Sequence, residues 1–339
     1  MIMAKRLEEF DLLKGIGILS VVVGHSAISE PFHDMIYSFH MPLFFMVSGF
    51  FFYVQPVQQY CRKMFFRLMV PWMFFVAVNL LFFFSLSLIT THSISAALNF
   101  SVGKLVPLDE DCKLLYRSIW FLIALFLTGN LYNLLSNLLG RKAVSVVVLV
   151  LYFAGFILQR VYIPFFIDTS ISALLFYHLG SVARECHDNA EKTDFFVHYD
   201  KQIFFSMLSV FVVLTCFAAF YQPEIDFKAN IFPLWVPLLS TPIIIALYFM
   251  MKSLSKMGSM KHVKAFLVKC GTYSICILGF HRLFQEVFYI ISAKLSISTP
   301  YVQTLLFIVI SIPLILLLSR ALEKYAPLLI GVKRQHGNG

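Results

Sequence analysis

Four ionisable residues stand inside an apolar run at 10–49, FDLLKGIGILSVVVGHSAISEPFHDMIYSFHMPLFFMVSG. They are Asp11, Lys14, His25 and His40. Charge at membrane depth costs roughly 2.5–3.5 kcal/mol per group even on lenient insertion scales, so such groups face a bundle interior or a watery cavity and mark working sites. The step from Lys14 to His25 spans about 1100° of helical rotation, about 20° after whole turns. Both therefore share one face, about 16 Å apart along the axis. Asp11 precedes Lys14 by one turn and can pair with it there. Gly15, Gly17, Ser20 and Gly24 let another helix or a ligand approach the backbone. A neutral imidazole in a poorly hydrated site suits proton removal from a hydroxyl, and a cation below it suits an anionic ligand or a polarised carbonyl. The plain alternatives are a packing histidine and a lysine that snorkels to the interface.

The elements that must position these groups are membrane helices. The chain has 339 residues, 59% hydrophobic and 13% charged, with mean hydropathy +0.81. Those values exclude a disordered or ordinary soluble protein. The expected fold is all-α: a polytopic bundle of about ten transmembrane helices, both termini cytoplasmic, forming a single integral-membrane domain over 1–339. Phe is abundant at 38 residues, as lipid-facing surfaces require. The net charge of +9 does not indicate nucleic acid, because the basic residues follow loops of alternate polarity, as the positive-inside rule predicts. The six cysteines lack CxxC spacing, so no disulfide framework is expected. No metal site is expected either, since there is no HExxH and the histidines lack ligand spacing.

Lys5 and Arg6 place the N-terminus inside. The first span is expected at 11–28, an outer turn at Glu30, Pro31, His33 and Asp34, and the second span at 36–53. Arg62, Lys63 and Arg67 precede a third span that ends near 89. The longest outer loop, 91–117, holds Asp109, Glu110 and Asp111. A fourth span opens at Trp120, and a fifth reaches 158. The sixth exits at Arg184 and carries His178, most simply a packing group. A polar inner connector follows, then spans seven (203–221) and eight (233–251). The stretch MKSLSKMGSMKHVKAFLVK, with five lysines, is expected to hug the inner leaflet. The ninth span, from Cys270, holds His281 and Arg282, and a tenth covers 301–318.

FDLLKGIGILSVVVGH followed by FHMPLFFMVSGFFF resembles the opening of the acyltransferase 3 family of membrane O-acyltransferases, most of all its fucose-4-O-acetylase-like branch. Members carry a basic residue and a histidine with ten residues between them, the spacing of Lys14 and His25. Many have Arg where this chain has Lys14, and a lysine grips an anion less directionally. WFL at Trp120 and the His281 span are similar to family features, and ten spans is the family's architecture. Some relatives append an extracytoplasmic esterase-like domain, and none is expected here.

The resemblance implies transfer of an acyl group, most simply acetyl, from cytoplasmic acyl-CoA to a hydroxyl of a carbohydrate or glycolipid, as in surface polysaccharide O-acetylation. His25 is the candidate base, Lys14 serves the donor's negative groups or the thioester carbonyl, and His40 or His281 orients substrate or shares the proton. Arg62, Lys63 and Arg67 are candidates for the CoA phosphates, or equally for anchoring to anionic lipid. Asp11, Glu30, Trp120 and Arg282 complete the candidate substrate and donor set, although a Trp at a span end also serves as an interfacial anchor. The partners implied are acyl-CoA, the acceptor and membrane lipid, with no permanently bound cofactor and self-association left open. The bacterial cytoplasmic membrane is the expected location. The rival class is a transporter or flippase, which would also bury such groups but would show inverted repeats and broken helices in matching halves.

Overall fold

The computed structural model describes residues 7–26, 28–103, 118–158, 163–190, 200–221, 225–227, 232–258, 260–297 and 299–332. Among them the regular structure is helical throughout. In order the helices are α1 Glu8–Gly24, α2 Glu30–Tyr37, α3 His40–Phe50, α4 Val57–Met64, α5 Val70–Thr91, α6 Ile94–Gly103, α7 Trp120–Leu138, α8 Arg141–Ile157, α9 Ile167–Ala190, α10 Asp200–Tyr221, α11 Val236–Lys256, α12 Lys261–Thr272, α13 Ser274–Lys294 and α14 Pro300–Tyr325. A π-turn, Phe65–Met69, joins α4 to α5, and a 3-10 turn, Pro327–Ile330, follows α14.

Among the described residues, six stretches are long and apolar enough to cross a membrane: Val57–Thr91, Trp120–Leu138, Lys201–Tyr221, Val236–Lys256, Ser274–Lys294 and Pro300–Tyr325. They fall on the third, fourth, seventh, eighth, ninth and tenth expected spans, and the protein is an integral membrane protein. The remaining four expected spans take other forms. The first, α1, has 17 residues and stops at Gly24, short of the expected 28. There Ser26 N–H bonds the Val23 carbonyl at 2.9 Å and its hydroxyl donates to the Val22 carbonyl at 3.1 Å. The expected outer turn at Glu30–Asp34 is instead the start of α2, where Pro31 sits in the first turn with φ already set for a helix.

The expected continuous second span is broken. Phe39, at φ −138° and ψ −27°, divides α2 from α3. Two polar groups hold the break. Ser240 Oγ donates to the Ser38 carbonyl at 2.5 Å, and His40 bonds the Ile36 carbonyl, which also accepts Phe39 N–H at 3.3 Å, so side chains share in satisfying the carbonyls where α2 ends. The fifth expected span is α8, 17 residues long. The sixth is α9, 24 residues long and carrying charges at its far end. Lys5, Arg6, Asp109, Glu110, Asp111, Cys112, Lys333, Arg334 and most of the polar connector after Ala190 lie outside the described residues.

The helices form two compact units. One holds Met1–Gln55, Leu131–Val161 and Asp168–Ser274; the other holds Pro56–Asn130, Tyr162–Ile167 and Ile275–Gly339. In the first unit, α1 lies against α12, α11 and α3, and α10 lies along α11. Glycines permit the closest crossings. A methyl on Gly15 would overlap the Leu267 carbonyl, and one on Gly271 would overlap the Asp11 carbonyl, so α1 and α12 meet backbone to backbone. Gly49 and Gly180 do the same for α3 and α9, against Tyr177 and Met46. The five-lysine stretch, expected on the inner leaflet, thus contributes a helix that packs on α1.

Lys264 ties that helix to α11. Its Nζ donates to the Met257 carbonyl at 2.7 Å and to the Ser255 carbonyl at 3.1 Å. A cation there satisfies the last carbonyls and meets the negative end of the helix dipole. Lys264→Gln is expected to cost about 1–2 kcal/mol, read as a lower thermal midpoint in detergent. An unchanged midpoint would mean that water replaces the cap without loss.

In the second unit, α5 lies against α6 and against the Pro327–Ile330 turn. Gly279 on α13 receives the Phe75 ring of α5, where an added methyl would overlap the ring. Phe280 packs edge-on to Phe75 with centroids 5.1 Å apart.

Candidate functional site

Asp11 and Lys14 form an ion pair in α1, 2.7 Å from Nζ to Oδ1, with side-chain exposures of 9% and 28%. The sequence spacing put both on one face, and the crossing with α12 explains the burial, because Gly271 lies directly against the Asp11 backbone. Lys14 keeps part of its surface open and can still meet a ligand.

His25 is the residue after α1, not one within it, with φ −91° and ψ 2°. Its backbone N–H bonds the Val21 carbonyl at 3.1 Å, so the backbone closes the helix and the ring is not needed for the cap. The residue is partly exposed. Its neighbour Gly24 packs against α2: a methyl there would lie 3.2 Å from both the Ile36 side chain and the Tyr37 ring. Tyr37 is therefore beside the end of α1. It stacks on His33 with centroids 3.6 Å apart and meets the His40 ring edge-on at 4.7 Å. The end of α1, Tyr37 and His40 are thus neighbours within one unit. Sequence reading missed Tyr37; the signal was its i+4 spacing from His33, which puts two rings on one face of α2.

His40 is 3% exposed. Its Nδ1 lies 2.8 Å from the Ile36 carbonyl oxygen. A carbonyl only accepts, so Nδ1 carries the proton and Nε2 keeps the lone pair. The ring thus closes the break between α2 and α3 with one nitrogen and presents a basic atom with the other. Glu30 is exposed in the first turn of α2.

The other candidates belong to the second unit. His281 is fully buried, and its Nδ1–H is shared between the Ile277 and Leu278 carbonyls at 2.9 and 3.0 Å, which again leaves Nε2 as the basic atom. Arg282 donates from Nη1 to Gln285 Oε1 at 3.0 Å. Gln285 is 1% exposed and was also missed; an amide one turn from a cation inside a span was the available clue. Trp120 and Phe121 are buried, not displayed to lipid as an anchor would be, with Trp120 against Phe166 at 5.6 Å between centroids. Arg62, Lys63 and Arg67 are all exposed. They sit on a helical stretch continuous with the third span, not on a loop before it.

His178 follows the plain reading. Its Nδ1 lies 2.9 Å from the Tyr132 hydroxyl, joining α9 to α7. Nearby, Asn133 copies a backbone edge: its Oδ1 accepts from Gln55 N–H at 3.1 Å and its Nδ2 donates to the Gln55 carbonyl at 3.0 Å.

Within the first unit, α1–α3 carry the Asp11–Lys14 ion pair, the partly open His25 and the buried His40, whose Nε2 keeps its lone pair, group types that can accept a proton or hold an anion. A family described as an acyltransferase domain matches residues 7–322. The nodulation protein NolL of Sinorhizobium fredii (strain NBRC 101917 / NGR234) is 30% identical over 178 residues, 46% of this chain and 46% of that protein. The match thus spans less than half of that relative's length. No solved structure matches the chain. With the family's match running from the start of α1 into the last turns of α14, the chain belongs to the acyltransferase 3 family.

Proposed function

We propose that the protein moves an acyl group, most simply acetyl, from cytoplasmic acyl-CoA to a hydroxyl of a carbohydrate or glycolipid, in the bacterial cytoplasmic membrane. The observation that carries this reading is the α1 arrangement: a buried Asp11 holds Lys14 by an ion pair, and His25 follows the same helix, partly open. His25 takes the acceptor's hydroxyl proton as that oxygen attacks the thioester carbonyl. The C–S bond breaks, the CoA thiolate leaves, and the proton passes to it. Lys14 stabilises the developing oxyanion or the donor's negative groups. His40, with Nδ1 committed to Ile36, orients the acceptor through Nε2. His281, buried in a span, and Arg282, half-buried beside it, are kept as candidates for orienting substrate.

A ten-pass chain with both ends inside accords with this reading. The 17 residues of α1 and of α8 reach about 26 Å each, most of a bilayer core.

The test is transfer from radiolabelled acetyl-CoA by purified protein in lipid nanodiscs, with thiol release followed in parallel. Acceptor-dependent release of CoA, with label recovered on glycan or glycolipid, is the expected result. Protein that neither binds nor consumes acetyl-CoA would remove the proposal.

A further inference from the structure

The basic cluster on α4 is shaped by a local irregularity. From Val57 to Thr91 the chain is one helical stretch, but Phe65–Met69 is a π-turn, and Val70 N–H bonds the Phe65 carbonyl, five residues back. A π-turn adds one residue to the helix. In an unbroken α-helix Arg62 would point about 140° away from Arg67, on the far side. Two of the five steps of the π-turn lie between Arg62 and Arg67, which narrows that angle to about 100° and brings Lys63 into line with Arg67. All three exposed cations then lie on one arc of about 100°, with Lys63 and Arg67 at one edge and Arg62 at the other.

Two features hold the π-turn. Pro71, in the first turn of α5, has no N–H, so the Arg67 carbonyl cannot receive the i+4 bond that would restore α spacing. Over that carbonyl lies Gly331, directly after the Pro327–Ile330 turn. Its φ is +74°, a left-handed value that glycine adopts without strain. A methyl there would overlap the Arg67 carbonyl and lie 3.3 Å from the Pro71 ring. Pro327 and Ile330 are buried on either side of the turn. The turn that follows the last helix therefore braces the bulge on which the cations stand.

We infer that Pro71 and Gly331 are positioning residues that hold the π-turn and so gather Arg62, Lys63 and Arg67 into one phosphate-binding arc. The phosphate is that of CoA, which rests on the acyl-transfer reading above, or that of an anionic lipid headgroup. Neither positioning residue need touch the ligand.

The experiment measures CoA binding in phosphatidylcholine nanodiscs, then retention of phosphatidylglycerol by the same variants. Arg62→Gln and Arg67→Gln should each weaken CoA binding about tenfold. Pro71→Ala supplies an N–H to the Arg67 carbonyl, favours α spacing and swings Arg62 away, so it should cost about as much as Arg62→Gln. The double variant should be no worse than either single one, a coupling that a merely structural role would not produce. Gly331→Ala should raise KM for acetyl-CoA severalfold with kcat unchanged. Additive losses from Arg62→Gln and Pro71→Ala, or an unaltered KM in Gly331→Ala, would overturn the inference. If wild-type protein binds no CoA, the acyl-transfer reading fails by itself. The arc then stands only if the arginine variants lose phosphatidylglycerol and Pro71→Ala cancels the Arg62 effect; unchanged lipid retention overturns it.

Discussion

Replacing His25 with alanine is expected to lower acyl transfer by about 10²–10⁴-fold, the usual contribution of a positioned general base, with folding intact. The local structure supports both halves of that expectation. The helix is closed by the His25 backbone N–H on the Val21 carbonyl, and Ser26 makes the next two bonds. None of these involves the imidazole. Removing the ring leaves these bonds in place, so the end of α1 is expected to persist, while the base of the proposed transfer is gone. His25→Gln, which keeps bulk and hydrogen bonding but not basicity, should be as inactive. Turnover within threefold of wild type in both variants would remove His25 from the chemistry. A fall in KM-limited rate alone, with kcat intact, would make it a binding residue.

The second large effect is structural. Gly271→Val is expected to destabilise the protein by about 3 kcal/mol or more, because the new side chain meets backbone, which cannot change rotamer. Its Cβ would overlap the Asp11 carbonyl and stand 3.0 Å from Gly15 N. The α1–α12 crossing must open, and with it the buried environment of the Asp11–Lys14 pair. Gly258→Ala supplies the control, since nothing lies within 4 Å of a methyl there. Thermal unfolding by size-exclusion chromatography should separate the two sharply, and equal midpoints would show that the crossing yields without cost.

Legibility followed local chemistry. Six of the expected spans were readable because long unbroken apolar stretches have few alternatives to a membrane helix. The Asp11–Lys14 pair was readable because i,i+3 geometry is a property of one helix. What escaped notice depends on partners distant in sequence. Phe39 breaks the second span where Ser240, some two hundred positions later, bonds Ser38, and hydropathy carries no trace of that bond. The π-turn likewise depends on Pro71 and Gly331 together. Trp120 was legible as an aromatic at a span end, but its burial against Phe166 is a tertiary fact. Lys264 read as one of five inner-leaflet lysines, whereas its ammonium caps α11.

The glycine crossing between α1 and α12 also limits how the first helix can move. Where two main chains touch, no side chain can flex to absorb a slip. A one-residue slide of α1 would bring Ile16 or Lys14 to the place Gly15 occupies against Leu267. Piston-like travel is thereby blocked, and the pair must tilt or shift as a single strut. Spin labels on the two helices should accordingly keep a fixed separation through turnover, whatever the surrounding helices do.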